Sequence, residues 1–202
     1  VIGDSISTFR GFVPYGYSCH YPTSDGDLTS VSQTYWYRLA YDLMSDAVID
    51  RNIAYSGTAV ARTTAESSSG QSWFGKDFCT RFIQQGGVGN PDIVLIHGGT
   101  NDYGHNVDPL AEGVDIRSAD APSDEAFAEM FAKADAAVTR AEVEALDDTT
   151  FCTAYIKLLC LIRERHPNAK IVCIIGDYLT TGIEKSTLRI AEHYGARCVD
   201  LY

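Results

Sequence analysis

Val1-Ile2-Gly3-Asp4-Ser5 opens the chain as an apolar pair that stops at glycine, aspartate and serine. The stretch Asp92-Ile93-Val94-Leu95-Ile96-His97-Gly98-Gly99-Thr100-Asn101-Asp102 repeats that pattern, with an apolar run ending in glycines and polar residues. A short apolar run bounded by turn residues reads as a fully buried strand, and parallel sheets are where strands are buried on both faces. Between the two lies Asn52-Ile53-Ala54-Tyr55-Ser56-Gly57, a third run that also ends in glycine. Strands that end this way bring a serine, a glycine and an asparagine to one edge of a sheet. A serine hydroxyl can attack a carbonyl, and an amide side chain can hold the oxyanion that results.

Apolar runs alternate with helical patterns along the rest of the chain, the signature of an α/β domain built on a parallel sheet. Residues 34–45 read as a helix with Trp36, Leu39, Ala40 and Leu43 on one face. Residues 47–54 read as the second strand. Residues 58–75 read as a loop rich in serine, threonine and glycine, followed by a short helix through Phe78 and Phe82. Pro122-Ser123-Asp124-Glu125 is a helix start, with a capping serine and two acids in the first turn. A further helix is expected from about Asp148-Thr149 to His166-Pro167, a strand over 171–175, a helix over 186–194 and a last strand over 197–201.

In order and wording, Gly3-Asp4-Ser5, Gly57 and Gly99-Thr100-Asn101-Asp102 resemble the SGNH (GDSL-type) hydrolases, a family of serine esterases and lipases. The stretch Ser5 to Pro14 is similar to members of this family as well. The resemblance implies a three-layer α/β/α sandwich with a five-stranded parallel sheet in the flavodoxin-like order 2-1-3-4-5. It also implies Ser5 as nucleophile, with the Gly57 N–H and the Asn101 amide as oxyanion donors beside the N–H of Ser5. Asp4 is read as shaping the turn, and Asp102 as fixing its loop by accepting backbone N–H groups. Asp4, Thr100 and His105 stand as candidates to line the substrate site.

The family's fourth block, Asp-x-x-His, supplies the general base and follows the last strand. Here Asp200-Leu201-Tyr202 reads as that strand, and only Val1 and Ile2 precede Gly3. The expectation is therefore one domain over 1–202, cropped at both ends, with its catalytic histidine and aspartate beyond Tyr202. The internal Asp102-Tyr103-Gly104-His105 follows the asparagine block directly, the wrong place for that base. His105 is read as lining the pocket or as a solvated loop residue. His97 reads as a core residue, and His166 as a cation at a helix end.

The chain has 202 residues, 45% of them hydrophobic, which fits one domain with a sizeable core. No apolar run approaches the ~20 residues of a membrane span. The net charge is −11. Residues 103–150 hold 12 acidic and 3 basic side chains, so this one segment carries most of it. Such a surface disfavours nucleic acid, which needs basic groups against its phosphates. The segment is longer than an ordinary strand-to-helix connection and leaves the sheet at the serine edge, so it is read as a lid or pocket wall, or else as a surface elaboration.

Six cysteines show no zinc-binding spacing. Only Cys19 and Cys79 are placed to pair, and the others read as buried thiols. That pattern points to a reducing, cytoplasmic setting, with secretion left open by the short start. Gly70 to Asp77 nearly matches a phosphate-binding loop but has aspartate where a hydroxyl is required. Gly87-Val88-Gly89 lacks the third glycine of a dinucleotide site and precedes its strand. No Gly-x-Ser-x-Gly elbow occurs. Tyr15, Tyr17 and Tyr21 follow Ser5 closely and could stack on a sugar or an acyl chain, whereas Trp36 reads as core.

The expected function is ester hydrolysis through an acyl-enzyme, with no metal or organic cofactor, on a small-molecule or glycan ester. Acetyl esters of carbohydrates are the first choice. Lysophospholipid or acyl-thioester hydrolysis, or a non-catalytic glycan binder that has lost its base, are the alternatives.

Overall fold

The computed structural model describes residues 1–24, 26, 28–43, 46–62, 75–86, 89–105, 109–177 and 179–201; the side chains of Leu43 and His105 are outside that set. Four parallel strands form one sheet: β1 (Ile2–Gly3), β2 (Ile93–His97), β3 (Lys170–Ile175) and β4 (Arg197–Asp200), paired in that order. The register sets Ile2 beside Ile96, Gly3 beside His97, Val94 beside Ile171 and Cys173 beside Cys198.

Among the described residues, seven α-helices connect and cover the strands: α1 (Tyr35–Arg38), α2 (Phe78–Arg81), α3 (Thr100–His105), α4 (Asp124–Asp135), α5 (Arg140–Glu144), α6 (Phe151–Arg165) and α7 (Thr181–His193). The first two continue as wider π turns over Leu39–Leu43 and Phe82–Gly86.

The expected fifth strand is not formed as one. Residues 51–55 nevertheless run along β1, where the Ile53 N–H donates to Val1 O (2.9 Å) and the Tyr55 N–H to Gly3 O (3.1 Å). The segment therefore keeps the place of a strand beside β1 without the continuous pairing of one.

Alternation along the strands sends side chains to opposite faces. Ile2, Val94, Ile96, Ile171, Cys173 and Ile175 join the larger core with α2, α4, α5, α6 and α7. Leu95 and Val172 point the other way, towards Phe9 and Trp36. Trp36 is wholly buried, as its spacing predicts.

The long helix α6 is apolar almost all round, as expected of a helix buried between other elements. It begins at a Thr150 cap, whose hydroxyl accepts from the Thr153 N–H at 3.2 Å. Lys157 on its buried side is balanced by Asp148 at 2.7 Å, and Asp148 also takes Arg62 at 2.8 Å. The last helix starts at Thr181 rather than 186, because Thr180 is available as an N-cap for the Ile183 N–H.

The acidic segment carries α4 and α5 and is built into the domain. Phe127, Phe131 and Ala134 of α4 and Val143 of α5 are buried in the larger core. Phe131 stacks on His193 with ring centroids 3.8 Å apart, and Arg189 lies over the Phe127 ring. The short helix α5 was not foreseen, although Thr139 and Glu142 form a capping box at its start.

All six cysteines are free, so the pairing of Cys19 with Cys79 is corrected. Cys79 faces inward on α2, where its thiol donates to Ala154 O at 3.3 Å. Burial pushes that thiol well above its ordinary range. Among the described residues, no helix is long and apolar enough to cross a membrane.

Candidate active site

Ser5 lies just past β1, in a single 3-10 turn over Ser5–Ser7. Asp4 caps that turn, its carboxylate accepting from the Ile6 N–H at 3.1 Å. The carboxylate is wholly buried. Burial raises its pKa, while His97, the Ile6 N–H and the Thr100 side chain pull it back. Asp4 therefore shapes the turn from beneath and presents no surface of its own. Gly3 is needed there, because a Cβ at that position would collide with the Ser7 side chain folded over the strand. Further contacts hold the turn from outside. The Thr8 hydroxyl donates to Ser5 O (2.7 Å), Asn52 Nδ2 to Ser7 O (2.8 Å), and Ser7 Oγ pairs with the Tyr35 hydroxyl (2.8 Å).

Gly57 has φ of +87°, a left-handed conformation that a side chain disfavours. The turn it makes directs the following Thr58 back under the site. Asn101 is the second residue of α3, and its Nδ2 donates to Thr58 O at 2.9 Å. A primary amide carries two N–H donors. One of them thus orients the Asn101 amide against the Gly57–Thr58 turn.

The next residue, Asp102, is fully buried and accepts from the Val60 N–H and the Ala61 N–H, both at 2.9 Å. It accepts backbone N–H groups as read from sequence, but those of the segment after Gly57 and not of its own loop, and so locks α3 to that segment. Asp102→Asn removes one of the two acceptors and leaves a buried N–H unpaired. The expected cost is about 1–3 kcal/mol of stability, read as a lowered urea midpoint.

Ser5, Gly57, Thr100 and Asn101 are half-buried, whereas Asp4, Thr58 and Asp102 are closed off beneath them. The three sequence-selected residues Ser5, Gly57 and Asn101 thus gather on the carboxyl edge of the sheet. Their mutual links are Asn101 to Thr58, Tyr55 to Gly3 and Asn52 to Ser7.

His97 is buried under this edge, packed edge-on to Tyr35 with ring centroids 5.5 Å apart. Burial lowers its pKa, opposed by Asp4 and Asp177. His166 and His193 end helices that run back to the amino edge. His20 packs against Tyr21. His105 closes α3, and its side chain lies outside the described residues. Among the described residues, no imidazole hydrogen-bonds Ser5.

The aromatic loop after Ser5 reaches the same region in part. The Ser56 N–H donates to Ser18 O (2.9 Å), and Tyr17 packs on Tyr55 at 4.8 Å. Tyr15 is fully exposed, while Tyr21 packs with the Phe9 and Trp36 cluster. Asp77, the residue that spoils the phosphate-loop match, caps α2 through the Thr80 N–H and hydroxyl. Residues 70–74, with Trp73, and Gly87-Val88 lie outside the described set.

Arg81 was not singled out from sequence. It sits between Phe78-Cys79 and Phe82-Ile83 in the chain, and it is almost completely buried. An arginine between such apolar pairs is the signal that could have marked it. Its guanidinium donates to Gly3 O (3.1 Å), Thr58 Oγ1 (3.0 Å), Ile53 O and, through Nε, Lys76 O (2.8 Å).

Comparison with known proteins bears on this arrangement. The family model described as GDSL-like lipase/acylhydrolase matches residues 1–146. No curated protein matches the chain. A solved structure from Bacteroides ovatus, described as a GDSL-like lipase, is 26% identical with a TM-score of 0.71, over 100% of this chain and 83% of that one. One from Bacteroides uniformis, of the same description, is 28% identical with a TM-score of 0.70, over 100% of this chain and 81% of that one. A Lactobacillus plantarum structure at 19% identity and a TM-score of 0.54, over 100% of this chain and 74% of that one, shares the fold.

Proposed function

The chain belongs to the GDSL-like lipase/acylhydrolase family, and on that premise we propose that it hydrolyses carboxylic esters through an acyl-enzyme on Ser5. The observation that carries this reading is the bond from Asn101 Nδ2 to Thr58 O at 2.9 Å. It orients an amide donor beside the Gly57 turn, on the sheet edge that also presents Ser5.

In the proposed reaction, Ser5 Oγ attacks the ester carbonyl as a histidine base takes its proton. The carbonyl oxygen becomes an oxyanion, held by the N–H groups of Ser5 and Gly57 and by the second Asn101 N–H. Collapse expels the alcohol, which receives the proton from the histidine. Water, deprotonated by the same base, then attacks the acyl-enzyme, and the acid leaves as Ser5 regains its proton. The base is proposed to be a histidine that meets Ser5 at this carboxyl edge of the sheet. The reading assigns His105 no share in proton transfer.

The proposed substrates are acetyl esters of carbohydrates. Support comes from the exposed Tyr15 and the Tyr17–Tyr55 pair near Gly57, since aromatic faces suit sugar rings. The part of the acidic segment nearest the site is proposed as a pocket wall. It includes Tyr103, over whose ring Arg117 lies at 5.8 Å.

A panel of p-nitrophenyl esters from acetate to palmitate, assayed on the full-length natural protein, tests the choice. Turnover is expected to be highest for acetate and to fall with chain length, and acetylated oligosaccharides should release acetate. A maximum at long chains would instead favour a lipase or lysophospholipase. Binding of acetylated glycan without release of acetate would favour a non-catalytic relative.

A further inference from the structure

Among the described residues, Arg81 is a buried cation whose four hydrogen-bond partners are all neutral oxygens. Three of those oxygens belong to the framework of the site. Gly3 O lies two residues before Ser5. Ile53 O belongs to the segment that runs beside β1. Thr58 Oγ1 belongs to the residue after Gly57, the same residue whose carbonyl takes the Asn101 amide. The fork is itself held by Lys76 O and lies over the Phe78 ring, with the guanidinium carbon 4.7 Å from the centroid.

Burying a charge with no directly bonded anion is costly, and an apolar side chain of similar length would pack the same space at less cost. Burial lowers the Arg81 pKa to about 10, opposed by Tyr17, Asp77 and Asp4. The group therefore stays charged at neutral pH. A planar fork can bind several acceptors in one fixed geometry, which lysine cannot do.

We propose that Arg81 is a positioning residue of the hydrolytic site, holding the nucleophile strand and the Gly57–Thr58 oxyanion turn in one geometry and placing a buried positive charge behind them. The inference rests on the Ser5, Gly57 and Asn101 reading above. It predicts a role in the anionic transition state more than in substrate binding, because Arg81 lies beneath the site and not in its opening.

The test uses the full-length protein with p-nitrophenyl acetate, together with the rate of covalent labelling by a fluorophosphonate. Arg81→Lys keeps the charge and loses the fork, Arg81→Met loses both, and Thr58→Val removes one acceptor with little change of shape. Thermal melting and near-UV circular dichroism report whether each variant folds, and rates are referred to folded protein. Displacement of reacting groups by about 1 Å can cost ~100-fold in rate. Arg81→Met is therefore expected to lower kcat by about that factor, Arg81→Lys by about 10-fold, and both should leave KM within about 3-fold.

Thr58→Val should lower kcat in the same sense, and combining it with Arg81→Lys should cost less than the product of the two single effects. Folded Arg81 variants with wild-type kcat would overturn the proposal. If neither Arg81 variant folds, a folded Thr58→Val protein with wild-type kcat overturns it. Wild-type protein that fails to label at Ser5 would refute the hydrolase reading itself, and the role of Arg81 with it. Labelling of the wild type with undiminished labelling of folded Arg81 variants would refute the positioning role alone.

Discussion

Ser5→Ala is expected to abolish both ester turnover and covalent labelling by a fluorophosphonate, while the protein keeps its fold. Ser5 is half-buried at the start of the 3-10 turn, and its neighbours Asp4 and Ser7 are the ones enclosed beneath it. The contacts that hold the turn involve the Asp4 carboxylate, the Ser5 and Ser7 carbonyls and the Ser7 hydroxyl. Removing the Ser5 hydroxyl leaves these in place, so melting temperature should change little. Loss of the nucleophile in a serine hydrolase costs on the order of 10⁶ in kcat, which brings turnover to background. Intact-mass analysis of labelled protein reads the outcome directly. Labelling that persists in Ser5→Ala would move the nucleophile elsewhere and remove the basis for the acyl-enzyme.

Asn101→Ala should lower kcat by about 10²–10³ with KM nearly unchanged, the signature of a donor that acts in the transition state. The amide is oriented by its bond to Thr58 O, and in the proposed reading its second N–H meets the oxyanion. Such preorganisation is worth most where charge develops, because no rearrangement is needed at the moment of reaction. The substitution also leaves Thr58 O without this donor, so a modest loss of stability accompanies it. Rates referred to folded protein separate the two effects. An Asn101→Ala enzyme with altered KM and unchanged kcat would make Asn101 a ground-state binding residue.

Much of the architecture was legible in the residues. Apolar runs that stop at glycine marked β1 and β2, the apolar run over 171–175 marked β3, and Ser123 before two acids marked the start of α4. The helix over α6 was legible in its stripe of Phe151, Tyr155, Leu158 and Ile162, although its cap proved to be Thr150. Asp102 was also read correctly as a backbone acceptor. Each of these depends on local chemistry. A cap, a short apolar run or a carboxylate after a strand is written within a few consecutive positions.

What resisted reading depends on partners distant in sequence. Whether residues 51–55 pair continuously with β1 depends on residues some fifty positions away. Cys79 looked free to pair because it is near a loop, yet it faces Ala154 across the core. Arg81 looked like an ordinary helix residue, because its acceptors at Gly3, Ile53 and Thr58 are between 23 and 78 residues away.

The sequence by itself determined the order of the four strands along the chain, the placement of Ser5 and Asn101 after β1 and β2, and the family. Only the tertiary structure decided that the acidic segment is a packed part of the domain and that one buried guanidinium ties the serine strand to the turn carrying Gly57. The physical reason is that period and capping follow from neighbours along the chain. Burial, and the choice of acceptor for a buried donor, follow from which elements meet in space.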